Sequence, residues 1–166
     1  MPVTTLFFSA QFHSQIRDGR VFHTFRRRAR PGEIDLATVR SGDPVRLVFD
    51  LPRLGAMDVT VADVAPMRIG RHPLSEGGIA GMTCRNQEFR RRDIEITAFL
   101  LGFGLDDRSG ATARIRMGHF YRHVFPGDGP IIGHVLSWHP PGGAERARQV
   151  LAMAEAAADL AREVHK

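Results

Sequence analysis

Lysine is almost absent from this chain: of its 23 cationic residues only Lys166 is not an arginine. Cysteine is nearly as scarce. Cys84 stands alone, which excludes an intramolecular disulfide and leaves no multi-cysteine zinc site. Apolar stretches such as residues 45–49 and 98–101 fall far short of the roughly 20 residues that a bilayer-spanning helix needs. The opening MPVTTLFFSAQFH carries neither a basic n-region nor an adequate apolar h-region, so no secretory signal is read there and the expected location is the cytoplasm. Internal repeats and low-complexity tracts are also missing. No sequence feature implies a cofactor or a resident metal.

What is present describes a folded domain. The chain has 166 residues, 43% hydrophobic and 25% charged, enough to bury one core with a tail and far from the composition of disorder. The formal charge of +5 is carried by arginine, whose planar fork grips phosphate and stacks on bases. A nucleic-acid partner fits such a surface, although the same charge also serves plain solubility.

Residues 4–8 form a β-branched and aromatic run that reads as a strand. In residues 11–18, Phe12 and Ile16 take the spacing of one helical face, and Gly19 stops that helix. Residues 21–26 read as a second strand, and residues 27–44 as a long solvated loop ending in a turn at Gly42-Asp43-Pro44. Residues 45–51 and 57–64 alternate apolar with polar side chains, the pattern of paired antiparallel strands. Residues 68–81 are polar and glycine-rich and are expected to be loop. Helical spacing follows over 94–101, broken by Gly102 and Gly104, and again over 115–125, closed by Pro126. Residues 130–138 read as a buried strand. Beyond Pro140-Pro141-Gly142-Gly143 the composition shifts to alanine, with Val150, Leu151, Ala154, Ala158 and Ala161 placed on one side of a C-terminal helix. That face can pack on its own domain or on a second copy of the chain.

The run Gly19-Arg20-Val21-Phe22-His23-Thr24-Phe25-Arg26, preceded by a short helix and followed by Gly42-Asp43 and a strand, resembles the GxKxxTxR element of the ASCH family. Gly102-Phe103 and a later strand ending in Trp138 match further parts of that pattern. The resemblance covers roughly residues 6–138, with residues 33–40 read as an insertion. It implies an α+β fold: a small PUA-like β-barrel with flanking helices over residues 1–140, and a C-terminal helical appendage over 141–166. It also implies a binding module for RNA or a modified nucleoside. The alternative is a hydrolase of the same family, acting on an N4-acylcytidine or on RNA. The lysine expected for the amidohydrolase chemistry is replaced by Val21, and the acid before Gly-Phe by Leu101; neither can move a proton.

For ligand binding the resemblance points to Gly19, Val21, Thr24, Arg26, Arg28 and Arg30. Thr24 and Arg26 alternate onto one strand face, where a hydroxyl can bond a base or ribose and a guanidinium a phosphate. Catalysis, if present, falls to Thr24 and His23, although adjacent strand residues point to opposite faces. Arg27, Arg28 and Arg30 extend the basic run into the loop; a solvated charge run is the plainer reading. His119 and His123 share a helix face but lack a third ligand and read as surface histidines. Arg90-Arg91-Arg92 reads as a solvated turn, and Glu95 is the acid nearest Gly102-Phe103.

Overall fold

A computed structural model describes residues 4–104 and 112–164 of the chain. Lys166 lies outside the described residues. The elements in order are β1 (Thr5–Phe8), a 3₁₀ turn (Ala10–Phe12), α1 (His13–Arg17), β2 (His23–Arg26), β3 (Pro44–Phe49), β4 (Ala56–Arg71), β5 (Ile79–Cys84), β6 (Gln87–Glu88), α2 (Arg91–Ala98), α3 (Ala113–Val124), β7 (Ile131–Trp138) and α4 (Gly143–Val164). The fold is α+β around a mixed sheet that does not close on itself. β1 and β3 are parallel, β3–β4, β4–β5, β5–β6 and β2–β7 are antiparallel, and β7 also pairs with β4. No described helix is long and apolar enough to cross a membrane.

Two compact units share the chain. The first takes in the residues up to Ala65 together with Gly133–Arg148; the second takes in Pro66–Ile132 and the chain from Gln149 on. In the first unit the alternation read over residues 45–51 is realised as far as Phe49: Val45, Leu47 and Phe49 are buried, Arg46 faces out to pair with Asp58 at 2.8 Å, and Leu51, past the end of the strand, is exposed. Leu6, Ile16, Val61, Leu136 and Trp138 complete this core, each large aliphatic side chain contributing about 1.5–3 kcal/mol of burial. The strand expected over residues 21–26 begins only at His23. The N–H groups of Arg20 and Val21 both donate to the Gln15 carbonyl, closing α1 rather than extending β2.

In the second unit the loop expected over residues 68–81 holds only for residues 72–78. β4 runs on to Arg71, and β5 starts at Ile79 and pairs back on it. Ile69 and Met82 face each other across that pair and are buried. α3 starts where Thr112 Oγ1 accepts the Ile115 N–H at 3.4 Å, an N-cap bond that satisfies one of the helix's free amides. On α4, Val150, Ala154 and Ala158 recur four apart and are buried in the chain. Leu151 is 41% exposed instead, because one residue of helix rotates it about 100° away from Val150.

Candidate functional site

The first unit brings Thr24 and Arg26 together around an acid, Glu33, that was not among the expected site residues. Arg26 Nε donates to Thr24 Oγ1 at 3.1 Å, its Nη1 to Glu33 Oε2 at 3.0 Å and its Nη2 to the Phe7 carbonyl at 2.6 Å. The guanidinium also lies 4.7 Å from the centroid of the Phe8 ring, a cation–π contact. Glu33 Oε2 accepts the Phe7 N–H at 2.8 Å, and its Oε1 the Arg30 N–H at 3.1 Å. The strands of this unit follow the order β1-β3-β4-β7-β2, so β1 and β2 are the two ends of the series. Arg26 and Glu33 serve both the N–H and the C=O of Phe7, the groups a neighbouring strand would otherwise satisfy. A side-chain pair thus stitches β2 to β1. Glu33 is 8% exposed, and a carboxylate so placed is tolerable only because cation and amide donors surround it.

The remaining expected residues occupy defined places. Gly19, at φ +75°, packs so closely that a Cβ would stand 2.7 Å from the Pro141 carbonyl oxygen; its role is the turn out of α1. Val21 is 3% exposed in that turn and does not join Thr24 and Arg26 in a cleft. Thr24 pairs with Leu136 and His23 with Ser137, and neighbouring residues of one strand face opposite ways. The two residues expected to share catalysis therefore diverge. His23 is part-exposed, yet its Nδ1 is buried without a partner, and burial lowers its pKa to about 4. It is neutral near pH 7. Trp138, on the Thr24 side of β7, is 1% exposed and its Nε1–H is likewise unpartnered. Leu101 is buried.

Beside the stitch lies a shallow cleft lined by Arg26, Arg27, Arg28, Glu33, Leu36 and His134, among others. Its interior, about 10 Å³, holds one water-sized group at most. Neither Gly19, Val21, Thr24 nor Arg30 lines it. Arg27 and Arg28 are exposed on its rim and make no hydrogen bond or ion pair among the described residues. Arg30, by contrast, lies 3.8 Å from Glu33. Comparison with family models, curated proteins and solved structures finds no match.

In the second unit Arg91, Arg92 and Glu95 have structural partners. Arg91 pairs with Glu76 at 3.2 Å and Arg92 with Asp159 at 3.0 Å. Glu95, 5% exposed, accepts the Arg114 N–H at 3.2 Å and faces the Arg114 guanidinium at 3.5 Å, joining α2 to α3. His119 and His123 are exposed. No group of three potential metal ligands occurs among the described residues.

Proposed function

We propose that the first unit binds RNA through its phosphate backbone, with Arg27 and Arg28 as the principal contacts and the loop that carries them held in place by Glu33. The observation that carries this reading is the contrast among the arginines. Arg26 and Arg30 are engaged with Glu33, whereas Arg27 and Arg28 stand exposed and unpaired on the cleft rim. An unpaired guanidinium on a backbone tied at both Arg26 and Arg30 is preorganised for an anion, and it breaks no ion pair on binding. The cleft has no room for a nucleoside, which favours a strand lying across the surface over an enclosed base. The reading takes this unit as related to the PUA-like barrels of the ASCH resemblance, with the Arg26–Glu33 stitch standing at its open seam.

Hydrolysis of an acylated cytidine or of RNA has no observation in its favour here. Thr24 Oγ1 is engaged with Arg26, and His23 lies on the opposite strand face, a weak base because burial lowers its pKa.

Fluorescence anisotropy with labelled single-stranded and structured RNA tests the proposal at two salt concentrations. The Arg27→Ala/Arg28→Ala double variant is expected to lose about tenfold or more in affinity, since it removes two charged donors. No affinity of the wild-type protein for either RNA at low salt, or equal affinity of wild type and variant, would sink it.

A further inference from the structure

A second opening with a definite chemical character lies within the second unit and is lined by none of the residues discussed so far as ligand contacts. It is a groove of about 150 Å³ whose lining includes Arg71, His72, Gly78, Gly118, Arg122 and Asp128. A cavity of that order accommodates a ring-sized guest. Its walls are largely backbone, and the reason is steric. A Cβ on Gly118 would collide with the Gly77 carbonyl, so the absence of one lets the turn at residues 76–78 lie directly on α3. At Gly78, with φ +81°, a Cβ would stand 2.8 Å from Arg122 Nη2. The missing side chain leaves that space to the guanidinium.

The polar groups around the groove divide into those already committed and those still available. Arg71 donates through Nε to the Gly129 carbonyl at 2.7 Å and through Nη1 to the Phe125 carbonyl at 2.5 Å, which fixes the 125–129 segment as one wall. The Glu76 carboxylate at the turn is neutralised by Arg91 and Arg114. Arg122 is exposed and makes no hydrogen bond or ion pair among the described residues. His72 Nδ1 accepts the Leu74 N–H at 3.1 Å, so the ring proton sits on Nε2, which is a donor. Asp128 supplies the one carboxylate among the lining side chains. The balance is two guanidiniums and an imidazole donor against one acid.

We propose that this groove binds a phosphate monoester of a small polyhydroxylated molecule, a sugar phosphate. The phosphate is held by the Arg122 fork and His72 Nε2–H, and the sugar hydroxyls donate to the Asp128 carboxylate. Arginine suits a phosphate because two of its N–H groups match two phosphate oxygens, and the glycine walls permit close approach. The site shares no residue with the RNA contacts proposed for the first unit.

Titration calorimetry with ribose 5-phosphate, ribose and inorganic phosphate tests it. Ribose 5-phosphate should bind the wild-type protein more tightly than inorganic phosphate does, and ribose should give no heat. Arg122→Ala should weaken ribose 5-phosphate at least tenfold, with Arg122→Lys falling between because it keeps the charge and loses the fork. Arg27→Ala/Arg28→Ala should leave this binding unchanged, which separates its outcome from that of the RNA experiment. The proposal is overturned if ribose 5-phosphate gives no heat, if ribose or inorganic phosphate matches it, or if Arg122→Ala, shown folded by circular dichroism, retains wild-type affinity.

Discussion

Arg26 was the residue the sequence recommended most strongly for holding a ligand, and the structure gives it a task inside the protein. Replacing it by alanine would leave Glu33 buried beside β1 with its amide donors but without its cation. Removing one partner of a buried pair costs about 3–5 kcal/mol. Arg26→Ala is therefore expected to lower the urea midpoint strongly, and adding Glu33→Gln should recover part of the loss because a neutral amide still accepts the Phe7 N–H. If Arg26→Ala unfolds at the wild-type midpoint, the stitch between β1 and β2 is not a stabilising contact. His23 carries the second consequence at this scale. Its pKa is lowered from 6.5 to about 4 by burial, so between those values the unfolded chain binds a proton that the folded one refuses. Stability must then fall as the pH drops from 6.5 towards 4, by roughly 3 kcal/mol in full, at about 1.4 kcal/mol per unit of pKa. Across that range the urea midpoint of the wild type should fall relative to that of His23→Phe, which has no imidazole to protonate. A parallel pH dependence in both proteins would assign the loss to other groups.

At the scale of elements, the sequence was legible where side chains alternate and opaque where glycine interrupts them. β1, β3, α3 and β7 were placed within a residue or two; on α3, however, Phe120 and Val124, which suggested the helix, are exposed, and Met117, Gly118 and Tyr121 form its buried face. β5 was missed. Its sequence, IAGMTC, offers Ile79 and Met82 as buried anchors, but between them Gly81 sits opposite Gly70 on β4, and a facing pair of glycines shows no periodicity to read. The register shift between Gly70 and Arg71 blurs it further. Of the site, the pairing of Thr24 with Arg26 was legible from strand alternation alone. Glu33 was not, because its partners Phe7 and Arg26 lie 26 and 7 residues away and no local pattern encodes that closure. An acid set within an arginine-rich loop was the one signal available. The groove in the second unit was hidden for a related reason: Gly78, Gly118 and Arg122 meet only once the turn has settled on α3.

For the whole molecule, the formal charge of +5 is compatible with two quite different kinds of RNA binding, and salt separates them. A diffuse positive field attracts RNA without fixed contacts, so any two exposed arginines would contribute alike. A localised interface instead releases counterions at particular phosphates. On single strands the slope of log affinity against log salt is about −0.7 per phosphate contact. Arg27→Ala/Arg28→Ala should therefore make the slope shallower by about 1.4 if both guanidiniums touch phosphates. Arg40 and Arg53 provide the matched control: they belong to the same unit, are exposed, and their side chains make no ion pair among the described residues. Arg40→Ala/Arg53→Ala removes the same charge from the same unit, and its slope should stay close to that of the wild type. Equal slopes in the two double variants would replace the interface at Arg27 and Arg28 with a field spread over the surface, whatever the absolute affinity turned out to be.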